Sequence, residues 1–202
     1  MTQTLVVGGG FGGIASALRC RALGHDVTIV ERLSRLGGRA QVFEREGFKH
    51  DAGPTVITAP FLFEELFALF DRELADYVTI VPLDTWYEFY FDDGQTFAYK
   101  GDIEHTYAEI ARFNEKDVEG YKALLRLSKS IFEVGFEQLS ASPFTSISTM
   151  LKQVPALLKL KSYHTVYGLV SRFIKDEHLR KVFSVHPLLV GGNPYTTTSI
   201  YT

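Results

Sequence analysis

Apolar and polar positions divide the chain into short elements. Thr4–Val7 is a brief apolar run that predicts a buried strand. Phe11–Leu23 follows with apolar and small residues at helical spacing, and Gly24 stands where a glycine closes a helix. Asp26–Glu31 (DVTIVE) is rich in β-branched residues and predicts a second buried strand. Gln41–Arg45 and Phe48–Asp51 flank Glu46-Gly47 and predict a hairpin. Pro60–Phe70 places Phe63, Leu66, Phe67 and Phe70 on one face of a helix. Trp86–Phe91 and Thr96–Lys100 flank Asp93-Gly94, a stronger hairpin signal. Tyr121, Leu124, Leu125, Ile131, Phe132, Phe136 and Leu139 keep helical spacing. Lys122, Arg126, Lys129, Glu133 and Glu137 fall largely on the opposite face.

Glycine and aromatic residues are unevenly spread. Ten of the 17 glycines lie in residues 1–53, against only three of the 27 aromatic residues. The first quarter is therefore a backbone device, and the remainder supplies the bulky side chains. The chain has 202 residues, 46% hydrophobic and 22% charged, so it folds as an ordinary globular protein of one domain or slightly more.

The balance of 21 basic and 24 acidic residues leaves no positive excess, which argues against nucleic-acid binding. The single cysteine forms no internal disulfide, and the six histidines are scattered, so no metal site is expected. The amino terminus lacks the positive region of a secretory signal. The uncharged tract Val182–Thr202 contains two prolines, two glycines and a run of four hydroxyl residues, which exclude a spanning helix. A protein of the reducing, cytoplasmic side is expected.

The most specific signal is Gly8-Gly9-Gly10-Phe11-Gly12-Gly13, between the first predicted strand and the first predicted helix. Gly8, Gly10 and Gly13 satisfy G-x-G-x-x-G. The first glycine makes the tight turn, the second admits a pyrophosphate, and the third lets helix and strand pack closely. Free amides and the positive helix end then attract the anion. Glu31 ends the second strand, eighteen residues after Gly13. An acid at that spacing accepts the hydroxyls of an adenosine ribose and repels a 2′-phosphate, which argues against NADP. The fingerprint alone leaves FAD and NAD open. Leu36-Gly37-Gly38-Arg39 adds a second close-approach glycine pair and one cation suited to a pyrophosphate or ribose edge. Asp51-Ala52-Gly53-Pro54-Thr55 is either a further cofactor contact or a simple Asp-capped turn.

Together VVGGGFGGIASAL, VTIVERLSRLGGRA and FKHDAGPTVIT resemble the amino-terminal part of the FAD-dependent amine-oxidase-like superfamily. FEELFAL, FNEKDVEGY and LLVGGNPYTTTSIYT resemble its bacterial and fungal phytoene desaturase branch. The resemblance implies an α/β fold, with a Rossmann-like FAD-binding part over residues 1–85 that includes a β-ribbon at 41–51. A partial, aromatic-rich α+β substrate region over 86–202 completes the picture. It implies FAD as cofactor, with Gly8, Gly10, Gly13 and Glu31 on the ADP half, and Gly38, Arg39, Pro54 and Thr55 toward the flavin. It implies a longer enzyme, because the family's second flavin motif is absent. One departure from the family pattern is Leu33, which stands where relatives commonly carry an arginine two places after the acid.

The activity implied is stepwise dehydrogenation of phytoene toward neurosporene or lycopene. No side chain is assigned as catalytic acid or base. A hydrocarbon offers no polar handle, so an apolar channel is expected. Trp86, Tyr87, Phe89, Tyr90 and Phe91 either line it or simply face the core. A lipophilic carotenoid substrate also implies peripheral access to a membrane surface. Met150–Leu160, with Lys152 and Lys159 and followed by Lys161, reads either as an interfacial segment or as an ordinary surface helix interrupted by Pro155.

Overall fold

A computed structural model describes residues 1–53, 56–138, 155, 158 and 160–202. The chain forms two compact units, Met1–Pro82 and Leu83–Thr202.

The first unit opens with a strand–helix–strand crossover. Strands β1 (Gln3–Val7) and β2 (Asp26–Val30) pair in parallel, Gln3 opposite Asp26 through Val7 opposite Val30. Helix α1 (Phe11–Ala22) connects them, and its last turn is followed by Gly24 at φ 84°. The two strands differ from expectation in one respect. Their residues alternate in exposure instead of being buried throughout, and Leu5 and Val7 lie 64% and 81% exposed. Period-2 side-chain geometry explains this, because α1 covers one face of the pair and the described residues put nothing over the other. A ribbon follows, β3 (Val42–Arg45) antiparallel to β4 (Phe48–Asp51), turned by Glu46 and Gly47 in left-handed backbone. Helix α2 (Phe61–Ala68) rests on α1 through an edge-on Phe11–Phe63 ring contact and an Arg19–Glu65 ion pair of 2.7 Å.

The second unit is built on the β5 (Thr85–Tyr90) and β6 (Thr96–Lys100) hairpin, with a register irregularity between Thr85 and Tyr87. Helices α3 (Ile103–Asn114), α4 (Asp117–Phe132), α5 (Val166–Phe173) and α6 (Glu177–Phe183) bury one core. Its centre is Phe97, Ile110, Tyr121, Leu124, Val166, Val170, Leu179 and Phe183. The periodicity beginning at Tyr121 belongs to α4, which starts four residues earlier and passes into a π-helical turn at Glu133–Gln138. The expected face at Leu139 lies outside the described residues.

Three further helices, α3, α5 and α6, stand outside the predicted elements. Each begins at a side chain that accepts a bond from its own first turn: Asp102 from the Glu104 N–H, Thr165 from Gly168, and Asp176 from Leu179. Those N-caps were the legible signal.

Candidate functional site

The site grows from the turn between β1 and α1. The Gly8 N–H donates to the Val30 carbonyl at 2.8 Å, which ties the turn to the end of β2. A methyl group on Gly13 would overlap the Gly8 carbonyl oxygen, so helix and strand meet at contact distance only because that residue is glycine. Gly10 is the N-cap of α1 in extended backbone, with no side chain on the helix amides and no acid in the first turn. The helix end thus presents unpaired donors and its positive dipole without a competing anion from its own sequence.

Glu31 follows β2 directly. Its Oε2 accepts the Gly9 N–H at 2.6 Å and its Oε1 accepts the Leu33 N–H at 2.9 Å. The hydrogen bonds from Leu33 and from Gly9 hold its carboxyl below the usual carboxylate range, so it is anionic at neutral pH. A carboxylate has about four lone-pair sites, so this one keeps acceptor capacity for an incoming hydroxyl.

The Leu36–Arg39 segment returns to the same loop. The Gly37 N–H donates to the Gly9 carbonyl at 2.7 Å, and Gly10 and Gly37 form a parallel bridge. Gly38, at φ 60°, packs so closely that a Cβ would stand 2.9 Å from the Gly10 Cα. The space freed by that glycine is taken up by the first glycine loop. Arg39 carries its side chain exposed, and a side chain on Gly53 would overlap the Arg39 carbonyl oxygen.

Gly8, Gly10, Gly13, Glu31, Gly38 and Arg39 therefore share one corner of the first unit. Pro54 and Thr55 lie outside the described residues. Gly9 and Leu36 went unassigned in the sequence, although a third glycine inside a fingerprint that requires none at that position was a visible signal. A separate recess of about 540 Å3 lies against α2, lined by Phe61, Glu64, Ala68, Arg72, Leu74 and Ile80. It includes no fingerprint residue.

The donor set fits a dinucleotide: bare amides for a pyrophosphate, and an ionised carboxylate with free lone pairs for a ribose diol. Residues 6–72 match the family model described as an NAD(P)-binding Rossmann-like domain. Over 202 residues the chain is 48% identical to a lycopene-forming phytoene desaturase of Pseudescherichia vulneris, covering all of this chain and 41% of that protein. Along its whole length the chain is similar to phytoene desaturases. A neurosporene-forming phytoene desaturase of Rhodobacter capsulatus is 37% identical over 201 residues, covering 38% of its length. The chain thus spans about two-fifths of the length of these relatives.

Among solved structures, putrescine oxidase bound to putrescine superposes with a TM-score of 0.62 at 18% identity. That match covers 98% of this chain and 40% of the oxidase. It shows that this chain shares the fold of the matching part of that oxidase. Among the described residues, no helix is long and apolar enough to cross a membrane.

Of the aromatic run, Phe89 and Phe91 pack against the core of the second unit, whereas Trp86, Tyr87 and Tyr90 are exposed.

Proposed function

We propose that this chain forms the cofactor-binding part, and a portion of the substrate-binding part, of an FAD-dependent phytoene desaturase. The reaction removes pairs of vicinal hydrogens from phytoene toward neurosporene or lycopene. The observation that carries this reading is identity of 48% over all 202 residues to a lycopene-forming phytoene desaturase. The glycine loop and the ionised Glu31 are consistent with it.

Gly8, Gly10 and Gly13 bring the α1 amides to the pyrophosphate, and Glu31 accepts from the adenosine ribose. Gly38 and Arg39, with Pro54 and Thr55 by family resemblance, lie toward the flavin end. When bound, the flavin supplies the acceptor for the hydride taken from the hydrocarbon. The chain's own contribution is alignment and exclusion of water. Trp86, Tyr87 and Tyr90 are the exposed aromatic residues suited to an apolar substrate wall, while Phe89 and Phe91 serve packing. The substrate is lipophilic, so the protein meets it at a membrane surface, as a peripheral protein on the cytoplasmic side. No nucleic acid takes part.

A chimera tests the reading. This chain replaces the matching segment of the Pseudescherichia vulneris relative, in cells that accumulate phytoene. Neurosporene or lycopene in the extracted pigment is the expected result. A chimera that accumulates and retains FAD yet leaves phytoene unconverted would overturn it. Conversion of an amine instead would make the chain part of an amine oxidase.

A further inference from the structure

We propose that Gly9 positions Glu31 for the ribose, and this inference rests on the dinucleotide reading above. Gly9 occupies a position that the G-x-G-x-x-G fingerprint leaves free. Its backbone lies outside the left-handed region, so its conformation does not require glycine. What requires it is room.

Three neighbours converge on this residue. The Gly9 N–H donates to Glu31 Oε2 at 2.6 Å. Its carbonyl accepts the Gly37 N–H at 2.7 Å. Leu36 Cδ2 sits where a Gly9 side chain would begin, and that side chain would also stand 3.2 Å from Glu31 Oε2 and 3.5 Å from Glu31 Cβ.

A single methyl at residue 9 meets the far end of the exposed Leu36 side chain, which can swing into solvent. A branched side chain has no such escape. Its methyls extend beyond the 3.2 Å approach that a lone Cβ already makes to Glu31 Oε2, and so turn the acid away from the Gly9 amide. The glycine is thus a positioning residue, and it acts through Glu31.

The test measures binding of ADP and of 2′-deoxy-ADP to the chain by calorimetry. The deoxy analogue lacks a ribose hydroxyl that Glu31 would accept. The unaltered chain should prefer ADP by about tenfold, the worth of one charge-assisted hydrogen bond. In Gly9→Val that preference should collapse toward unity, a change that looser folding alone would not produce. Gly9→Ala should keep most of the preference, and Gly9→Ala combined with Leu36→Ala should keep all of it, which gives a reading even if Gly9→Val fails to fold. A Gly9→Val protein that retains the full preference would overturn the inference. So would loss of the preference in the double variant. If the unaltered chain binds neither nucleotide, the dinucleotide reading itself falls, and this inference with it.

Discussion

At the scale of single residues, two carboxylates do opposite work. Glu31 is exposed enough to meet a ligand, and its backbone donors lower its proton affinity. A carboxyl with a depressed native pKa contributes above its unfolded pKa, about 4.3, and loses that contribution as pH falls through the lower native value. The part of ADP affinity that depends on Glu31 should therefore be flat from about pH 6 to pH 8 and decline only in acid. Glu31→Gln should weaken ADP by about tenfold at neutral pH. Calorimetry across that range checks both, and a decline already at neutral pH would contradict the assignment.

Asp117 is buried at 1% exposure and turned inward. It accepts the Lys175 N–H at 2.8 and 2.9 Å and the Asp176 N–H at 2.7 Å, fixing the loop between α5 and α6. Asp117→Ala would strand those donors, and should cost about 3 kcal/mol in urea denaturation. Asp117→Asn, which keeps one acceptor oxygen, should recover about half of that.

At the scale of elements, the second hairpin shows how an open strand edge is closed. The Ala98 N–H donates to Glu109 Oε2 at 3.2 Å, and Arg112 Nη2 donates to the Thr96 carbonyl at 2.8 Å. Glu109 and Arg112 are themselves paired at 2.7 Å. Helix α3 thus serves the β6 edge as a neighbouring strand would, and spares it from pairing with another molecule. Glu109→Ala with Arg112→Ala should promote concentration-dependent self-association by light scattering and leave ADP affinity unchanged. Monodisperse behaviour at high concentration would refute that role.

The hydroxyl-rich tail is a second device of this kind. The Thr197 and Pro194 carbonyls accept the Val166 and Tyr167 N–H groups, and Ser199 Oγ donates to the Lys161 carbonyl at 2.9 Å. The start of α5 is therefore tied down by Thr165, its N-cap, and by the tail. Thr165→Ala should cost about 1 kcal/mol in the same urea assay.

These elements mark the limit of what the sequence discloses. The Rossmann turn, α1, both hairpins and α2 follow from local chemistry: glycine where the backbone turns, alternating apolar runs, and amphipathic spacing. Helices α5 and α6 do not: each is about two turns long, too short for the spacing of Val166, Leu169 and Val170, or of Leu179, Val182 and Phe183, to tell a helix from a short apolar run. The candidate site divides the same way. Gly8, Gly10, Gly13 and Glu31 were legible from spacing, whereas the close fit of Gly38 against Gly10 and of Leu36 against Gly9 exists only after two distant turns have met.

At the scale of the whole molecule, the proposed lipophilic substrate calls for a lipid-facing surface, and we propose the basic apolar stretch Met150–Lys161 for it. Not all of that stretch is available. Leu160 is buried in a cluster with Ile131 and Leu169, and the Lys161 ammonium lies over the Phe173 ring at 5.8 Å. Leu158 is exposed, while Lys152 and Lys159 fall outside the described residues. The surface reading therefore rests on Lys152, Lys159 and Leu158, with Leu160 and Lys161 serving the fold. A lysine near an anionic membrane contributes about 1 kcal/mol, so Lys152→Ala with Lys159→Ala should lower partitioning onto phosphatidylserine vesicles by about thirtyfold. Lys161→Ala should have a smaller effect, because its charge is already directed onto an aromatic face. Sedimentation with sucrose-loaded vesicles measures both. Equal partitioning of the double variant and the unaltered chain would remove this stretch from the membrane contact.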